Sequence, residues 1–246
     1  MNNIFNLIVI GGGHAGTEAA LAGKRLGLSV ALITLDASKS GRMSCNPAIG
    51  GIGKTHLARE IDAMGGYMAE ATDLAGIQFR TLNKKKGPAV QALRAQADKE
   101  IYEKSIQKKL AEDGVVVIED EVINFVIKKK KIQSAHGKKG EYRSEAFVLT
   151  TGTFLNGAIL IGNEKKEGGR IDEEKSSGLE EFFRNTGAKT GRLKTGTPPR
   201  LEKQSIDFNR LEAQPGDEEN MHMSFMGEKN KHPEQTSCHI TKTNPE

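Results

Sequence analysis

Hydrophobic and polar positions follow two periods along this chain, and each change of period marks an element. Residues 6–10 form a short, mostly apolar run that reads as a buried strand. From Thr17 to Leu26 the spacing is helical, with Ala19, Ala20, Ala22 and Leu26 on the repeat, and Gly27 supplies the stop. Residues 29–34, Ser-Val-Ala-Leu-Ile-Thr, make a second apolar run. Strand, helix and strand within about thirty residues form a βαβ unit, the crossover that a parallel pair requires. A glycine- and serine-rich stretch, 40–54, has neither period. His56 to Met64 is helical and stops at Gly65-Gly66. The longest helical pattern runs from Ala89 to Asp113 through Ala92, Ala95, Ala97, Ile101, Ile106 and Leu110. Residues 115–118, 122–127, 131–135 and 141–150 read as short strands, with turn signals at Gly137 and Gly140. The last of them leads into Thr150-Thr151-Gly152-Thr153. Ser177 to Asn185 reads as a short helix, with Gly187 beyond it. After Pro198-Pro199 the chain is polar and irregular.

Composition narrows the class. The 246 residues are 36% hydrophobic with 28 glycines, a globular balance that excludes a disordered, collagenous or coiled-coil chain. No apolar run approaches the roughly 18 residues of a membrane span. The N-terminus lacks the basic and small-residue features of a secretory signal. Two cysteines, 45 and 238, make no disulfide framework, so a reducing compartment, the cytoplasm, is expected. Six histidines show no ligand spacing, and no metal site is expected. Lys and Arg exceed Asp and Glu by 36 − 32 = 4, too little to indicate nucleic acid by its sum alone.

Candidate chemistry begins at Gly11-Gly12-Gly13-His14-Ala15-Gly16, a G-x-G-x-x-G between the first strand and the first helix. In such a motif the first glycine makes a tight turn. The second lets backbone approach a pyrophosphate, and the third lets helix pack on strand. The helix N-terminus then offers N–H groups and positive dipole to phosphate. The acid that usually ends the second strand and holds a ribose is replaced by Thr34, with Asp36 two residues on. Ala48 to Thr55 satisfies a relaxed P-loop pattern, but no buried strand precedes it; a glycine loop lying against a cofactor fits better. Cys45 lies in that loop between Arg42 and Lys54. It reads either as a small buried hydrophobe or as an activated thiol. Cys238 and His239 are adjacent, and adjacent side chains rarely face each other. The lysines at 128–131 and 138–139 flank hairpins and read as solvated turns. Arg80 to Arg94 instead places five basic residues around a Gly-Pro turn leading into a helix, which suits phosphate contacts.

Taken together, IGGGHAGTEAA (10–20), MSCNPAIGGIGK (43–54), GIQFRTLN (76–83), KGPAVQALRAQAD (86–98), LTTGTFLNG (149–157) and GRLKTGTPPR (191–200) resemble the GidA/MnmG family of FAD-dependent tRNA uridine 5-carboxymethylaminomethyl modification enzymes. The resemblance runs through the chain and implies an α/β, Rossmann-like FAD-binding domain of the glutathione-reductase class with a β-rich insertion. Family chains are longer, so it also implies an N-terminal part: an FAD-binding domain over 1–200 and the start of a second, incomplete domain over 201–246. Gly11, Gly12, Gly13, His14, Ala15 and Gly16 are then the FAD pyrophosphate contacts, with Val122, Thr151, Gly152 and Ser176 as further FAD contacts. Cys45 matches one of the family's two functional cysteines; Cys238 does not match the other. Lys54 and Arg94 are expected at phosphate or base. The implied activity is modification of the wobble uridine at C5. It draws carbon from methylenetetrahydrofolate and hydride from NADH, alongside a GTPase of the MnmE type, with tRNA as substrate and a homodimer as assembly. Three rival readings are an FAD-binding module without activity, an NAD(P)H-dependent flavin oxidoreductase and a nonspecific RNA-binding protein, the last with strongly salt-dependent RNA affinity and no flavin.

Overall fold

The computed structural model of the chain describes residues 4–44, 47–169, 176, 178–196, 198–217, 221–227 and 232–243. In chain order its elements are β1 (Ile4–Ile10), α1 (His14–Arg25), β2 (Val30–Thr34), β3 (Ala48–Gly50), α2 (Lys54–Ala63), α3 (Met68–Ala75), β4 (Gly76–Leu82), β5 (Ala92–Ala97), α4 (Lys99–Glu112), β6 (Val116–Glu119), β7 (Val122–Lys128), β8 (Lys131–Gly137), β9 (Glu141–Leu149), β10 (Ala158–Ile161), β11 (Glu164–Glu167), α5 (Gly178–Asn185), β12 (Glu212–Gln214) and β13 (Cys238–Ile240). They divide into two units, Met1–Gly41 with Gln107–Lys194 and Arg42–Ile106 with Thr195–Glu246. This division differs from the sequential one at residue 200. Residues 42–106 pack with the polar segment after 195, whose partners cannot be read from its own composition. Among the described residues no helix is long and apolar enough to cross a membrane.

The first unit is built on one mixed sheet in the order β6-β2-β1-β9-β8-β7. Strands β6, β2, β1 and β9 run parallel; β8 and β7 continue antiparallel. Leu7 to Ile10 are all buried, as parallel strands covered on both faces require. One face belongs to α1. A Cβ on Gly23 would lie 2.7 Å from Leu7 Cδ2 and 2.9 Å from Val30 Cγ2, so this helix approaches the sheet closely only because residue 23 has no side chain. On the other face Ile8, Ile10, Ala31 and Ile33 join Phe125, Ala135, Tyr142 and Leu179 in a core. Helix α5 packs on β7, with Phe182 centred 4.9 Å from Phe125. Lys129 and Lys130 both have positive φ and make the two-residue β7–β8 turn, with Lys128 opposite Lys131. Buried Asp120 anchors the neighbouring corner: its N–H donates to Thr34 O at 3.0 Å, and its carboxylate accepts from the Tyr142 hydroxyl at 2.7 Å. The α/β class and the βαβ start agree with the sequence reading.

The second unit carries the antiparallel sheet β3-β5-β4. Its core is Ala69, Phe79, Leu93, Ala95 and Met223, flanked by Ile49 and Met221. Two buried carboxylates pull in the distant segment. Asp73 accepts N–H bonds from Met223 at 2.6 Å and Ser224 at 2.9 Å; Asp62 accepts from Phe225 N at 2.8 Å.

The single helix expected over Ala89 to Asp113 is instead strand β5 followed by α4. Ala95 and Ala97 are buried while Arg94 and Gln96 are half-buried, an alternation of period two. Asp98 then caps the helix, accepting from Glu100 N at 2.8 Å and Ile101 N at 3.0 Å.

Candidate functional site

The glycine motif sits at the C-terminal ends of β1 and β9, where open α/β sheets bind ligands. Three of its glycines are held by different constraints. Gly11 has φ +108°, and a Cβ there would lie 2.3 Å from Thr150 O. Its N–H donates to Ile33 O at 2.8 Å, closing the turn over β2. Gly16 is forced by packing, since its Cβ would fall 1.8 Å from Gly11 O. Gly13 is the opposite case: a Cβ there meets nothing within 4 Å. It is the N-cap of α1, offers no side-chain cap, and is followed by no acid in the first turn. The helix end therefore carries backbone N–H groups and positive dipole with no side-chain cap from Gly13.

Other side chains gather around this turn. Thr150 N donates to Ile10 O at 2.8 Å, and its hydroxyl donates to Ile10 O at 2.9 Å and Gly11 O at 3.1 Å. Thr151 and Gly152 follow directly, Gly152 with φ +58°. Gly12 O accepts from Gly41 N at 2.8 Å, drawing the loop after β2 over the motif. The hydroxyl of Ser40 is buried there with no hydrogen-bond partner among the described residues, 3.3 Å from where a Gly12 Cβ would be. An uncapped helix end beside an unpaired buried hydroxyl fits a bound phosphate group. Val122 opens β7, buried beside Asp120 and Glu121. Ser176 donates to Glu121 Oε1 at 3.1 Å and bridges Leu155. The first unit thus holds Gly11 to Gly16, Thr151, Gly152, Val122 and Ser176. Ser40 and Thr150 escaped sequence reasoning, although Thr150 lies inside a quoted motif.

Thr34 and Asp36 take local roles. Asp36 accepts from Ser38 N at 2.9 Å and pairs with Lys39 at 3.1 Å; the Ser38 hydroxyl foremost holds its carboxyl below the usual range. Glu119, opposite Thr34 on β6, accepts from Ala37 N at 3.3 Å.

Lys54 and Arg94 belong to the second unit. Arg94 pairs across the ladder with Gly50, and Lys54 opens α2 after Gly50, Gly51 and Gly53, all at positive φ. The P-loop resemblance ends here. Its strand is only Ala48–Gly50, antiparallel to β5, and the Thr55 hydroxyl donates to Leu93 O rather than standing free for a metal. The basic stretch from Arg80 enters β5, not a helix, and Lys84 is engaged by Asp217 at 2.9 Å. Cys238 Sγ lies 3.1 Å from Gln78 Oε1, while His239 meets Phe208 edge-on, so the two do not pair. Cys45 lies outside the described residues. The expectation of no metal site rested on spacing along the chain. In space, Asp73, His222 and His232 bring ligand atoms within 4.8 Å of one another.

A family model described as Glucose inhibited division protein A matches residues 6–246. Two crystal forms of Aquifex aeolicus GidA superpose with TM-scores of 0.91 and 0.90, at 45% and 46% identity over 96% of this chain. This chain spans 41% and 40% of those two. The GidA-related protein from Thermus thermophilus matches at TM-score 0.54 and 16% identity over 74% of this chain and 68% of its own, a likeness of fold alone.

Proposed function

The chain belongs to the GidA family, and from that membership we propose that it serves FAD-dependent modification of tRNA, at C5 of the wobble uridine, in the cytoplasm. The observation that carries the proposal is Gly13: open space over an uncapped helix end, between two glycines that packing forces. In this reading Gly11 to Gly16 hold the FAD pyrophosphate. Gly11 turns the chain, the first turn of α1 supplies N–H donors, and Gly16 seats the helix on the strand. The Ser40 hydroxyl joins them. Thr151, Gly152, Val122 and Ser176 line the rest of the cofactor. When bound, FAD supplies hydride transfer, which no side chain provides.

A wobble base must leave its stack to be modified, and uracil C5 becomes nucleophilic once the ring is activated. Cys45 is proposed for that thiol chemistry, and Lys54 and Arg94 for phosphate or base contacts. The same membership supports methylenetetrahydrofolate as carbon donor, NADH as reductant, a GTPase of the MnmE type as partner, and a homodimer.

The test uses purified chain loaded with FAD and freed of unbound flavin. One retained FAD per chain is expected. Gly13→Ala should lose most of it while costing under about 1 kcal/mol of stability, since its Cβ displaces no protein atom. With tRNA, the GTPase, NADH and methylenetetrahydrofolate, mass spectrometry should then find a modified wobble uridine. Cys45→Ser should keep flavin and abolish the product. A folded chain that retains no flavin overturns the cofactor reading; flavin without tRNA product overturns the activity.

A further inference from the structure

We propose that Asp73, His222 and His232 of the second unit form a binding site for a divalent transition-metal ion of the zinc class, fastening residues 221–227 and His232 onto α3. This goes beyond the flavin and tRNA reading and does not depend on it.

His232 sits between two backbone carbonyls. Its Nδ1 lies 2.9 Å from Asp73 O and its Nε2 lies 2.9 Å from Met221 O. A neutral imidazole has one N–H, so it satisfies one carbonyl and turns a lone pair toward the other. At 2.9 Å a proton fits between that second nitrogen and its carbonyl, while a metal ion takes the nitrogen as the Met221 carbonyl turns aside. His222 decides between them. Both of its ring nitrogens are buried without a hydrogen-bond partner among the described residues, and its Nδ1 is 3.7 Å from Asp73 Oδ2. A second proton on His232 does nothing for these nitrogens. A metal ion takes one of them as ligand.

Asp73 completes the set. Its side chain is 2% exposed, and each carboxylate oxygen accepts one backbone N–H, from Met223 and from Ser224. A carboxylate has about four lone-pair sites, so ligand capacity remains. The backbone carbonyl of the same residue faces His232 Nδ1, the outer-shell contact that fixes a ligating histidine's tautomer. The rings are already gathered, His222 centred 4.5 Å from His232, and His232 centred 4.3 Å from Phe79. Two imidazoles and a carboxylate are the nitrogen and oxygen donors that zinc accepts, with water in the fourth position. Bonds of about 2.0–2.2 Å set tetrahedral donors about 3.3 Å apart. Binding therefore draws these side chains inward by about an ångström.

The test is a titration of the chelator-treated full chain with Co²⁺, and then with Zn²⁺ as competitor. One equivalent should bind, with the visible absorption of a tetrahedral cobalt site that zinc abolishes, and the melting temperature should rise. His222→Gln is the informative variant, because His222 makes no side-chain hydrogen bond that the metal-free fold would lose. It should melt like the metal-free parent and bind at least tenfold more weakly. His232→Gln should also weaken binding, but its carbonyl contacts make its folding a separate question, read by far-ultraviolet circular dichroism. Absence of stoichiometric binding by the folded parent overturns the proposal, and so does binding that His222→Gln leaves unchanged.

Discussion

Asp217 shows how one side chain fastens a segment remote in sequence. Its carboxylate accepts Thr81 N–H at 2.8 Å and meets Lys84 Nζ at 2.9 Å, and its own N–H donates to Phe79 O at 2.8 Å. Partial burial pushes this carboxyl up, but the Thr81 amide and Lys84 outweigh burial and hold it below its ordinary value of 3.8. A carboxyl whose folded pKa is depressed contributes stability above its unfolded pKa and loses it as pH falls through the folded value. Asp217→Asn should therefore cost about 1.5 kcal/mol at neutral pH, the lower end for hydrogen bonds to charged groups. The gap to the parent should close below about pH 4, where the unfolded carboxyl protonates. Melting temperatures across pH check this; a constant gap would contradict it. The sequence made the glycine motif legible because its spacing is covalent and local. Ser40 was not legible, since its burial beside Gly12 depends on how the loop after β2 folds back. Asp73 and His232 are separated by 159 positions, and no spacing rule reaches that far.

Strand β5 and helix α4 show why elements are harder to read than motifs. Alanine is the best helix former, so Ala89 to Asp113 offers a helical pattern throughout. Pairing with β3 and β4 on both sides overrides that preference as far as Ala97. Asp98 marks the change, and the cap is what makes it abrupt. Asp98→Ala should remove about 1 kcal/mol, visible as a lower urea midpoint with the slope unchanged. A midpoint equal to the parent's would mean that packing alone sets the start of α4. Helix α3 went unread for a different reason. Ala69, Ala71 and Ala75 are buried, but so are Thr72 and Asp73, which interrupt any apolar stripe. A buried acid looks like surface until its partners, the amides of Met223 and Ser224, are known.

Each unit is assembled from two separate stretches of chain. A chain ending at residue 200 would keep all the strands of the six-stranded sheet but lose Met223, Asp217 and the segment held by Asp62 and Asp73. Limited proteolysis of that chain, read by mass spectrometry, should cut within 42–106 while sparing the rest; protection of 42–106 would overturn the shared core. The βαβ start and the meander β7-β8-β9 were legible because neighbours in sequence are neighbours in space. The pairing of β1 with β9 was not, and it has a consequence for synthesis. Ile4 lies opposite Arg143. Chains emerge at about 5–20 residues per second, so β1 waits roughly 7 to 28 seconds on the ribosome for that partner. Through that interval its apolar residues have β2 beside them on one edge and water on the other. Strand order thus sets a period in which the nascent chain depends on whatever holds unfolded chains apart.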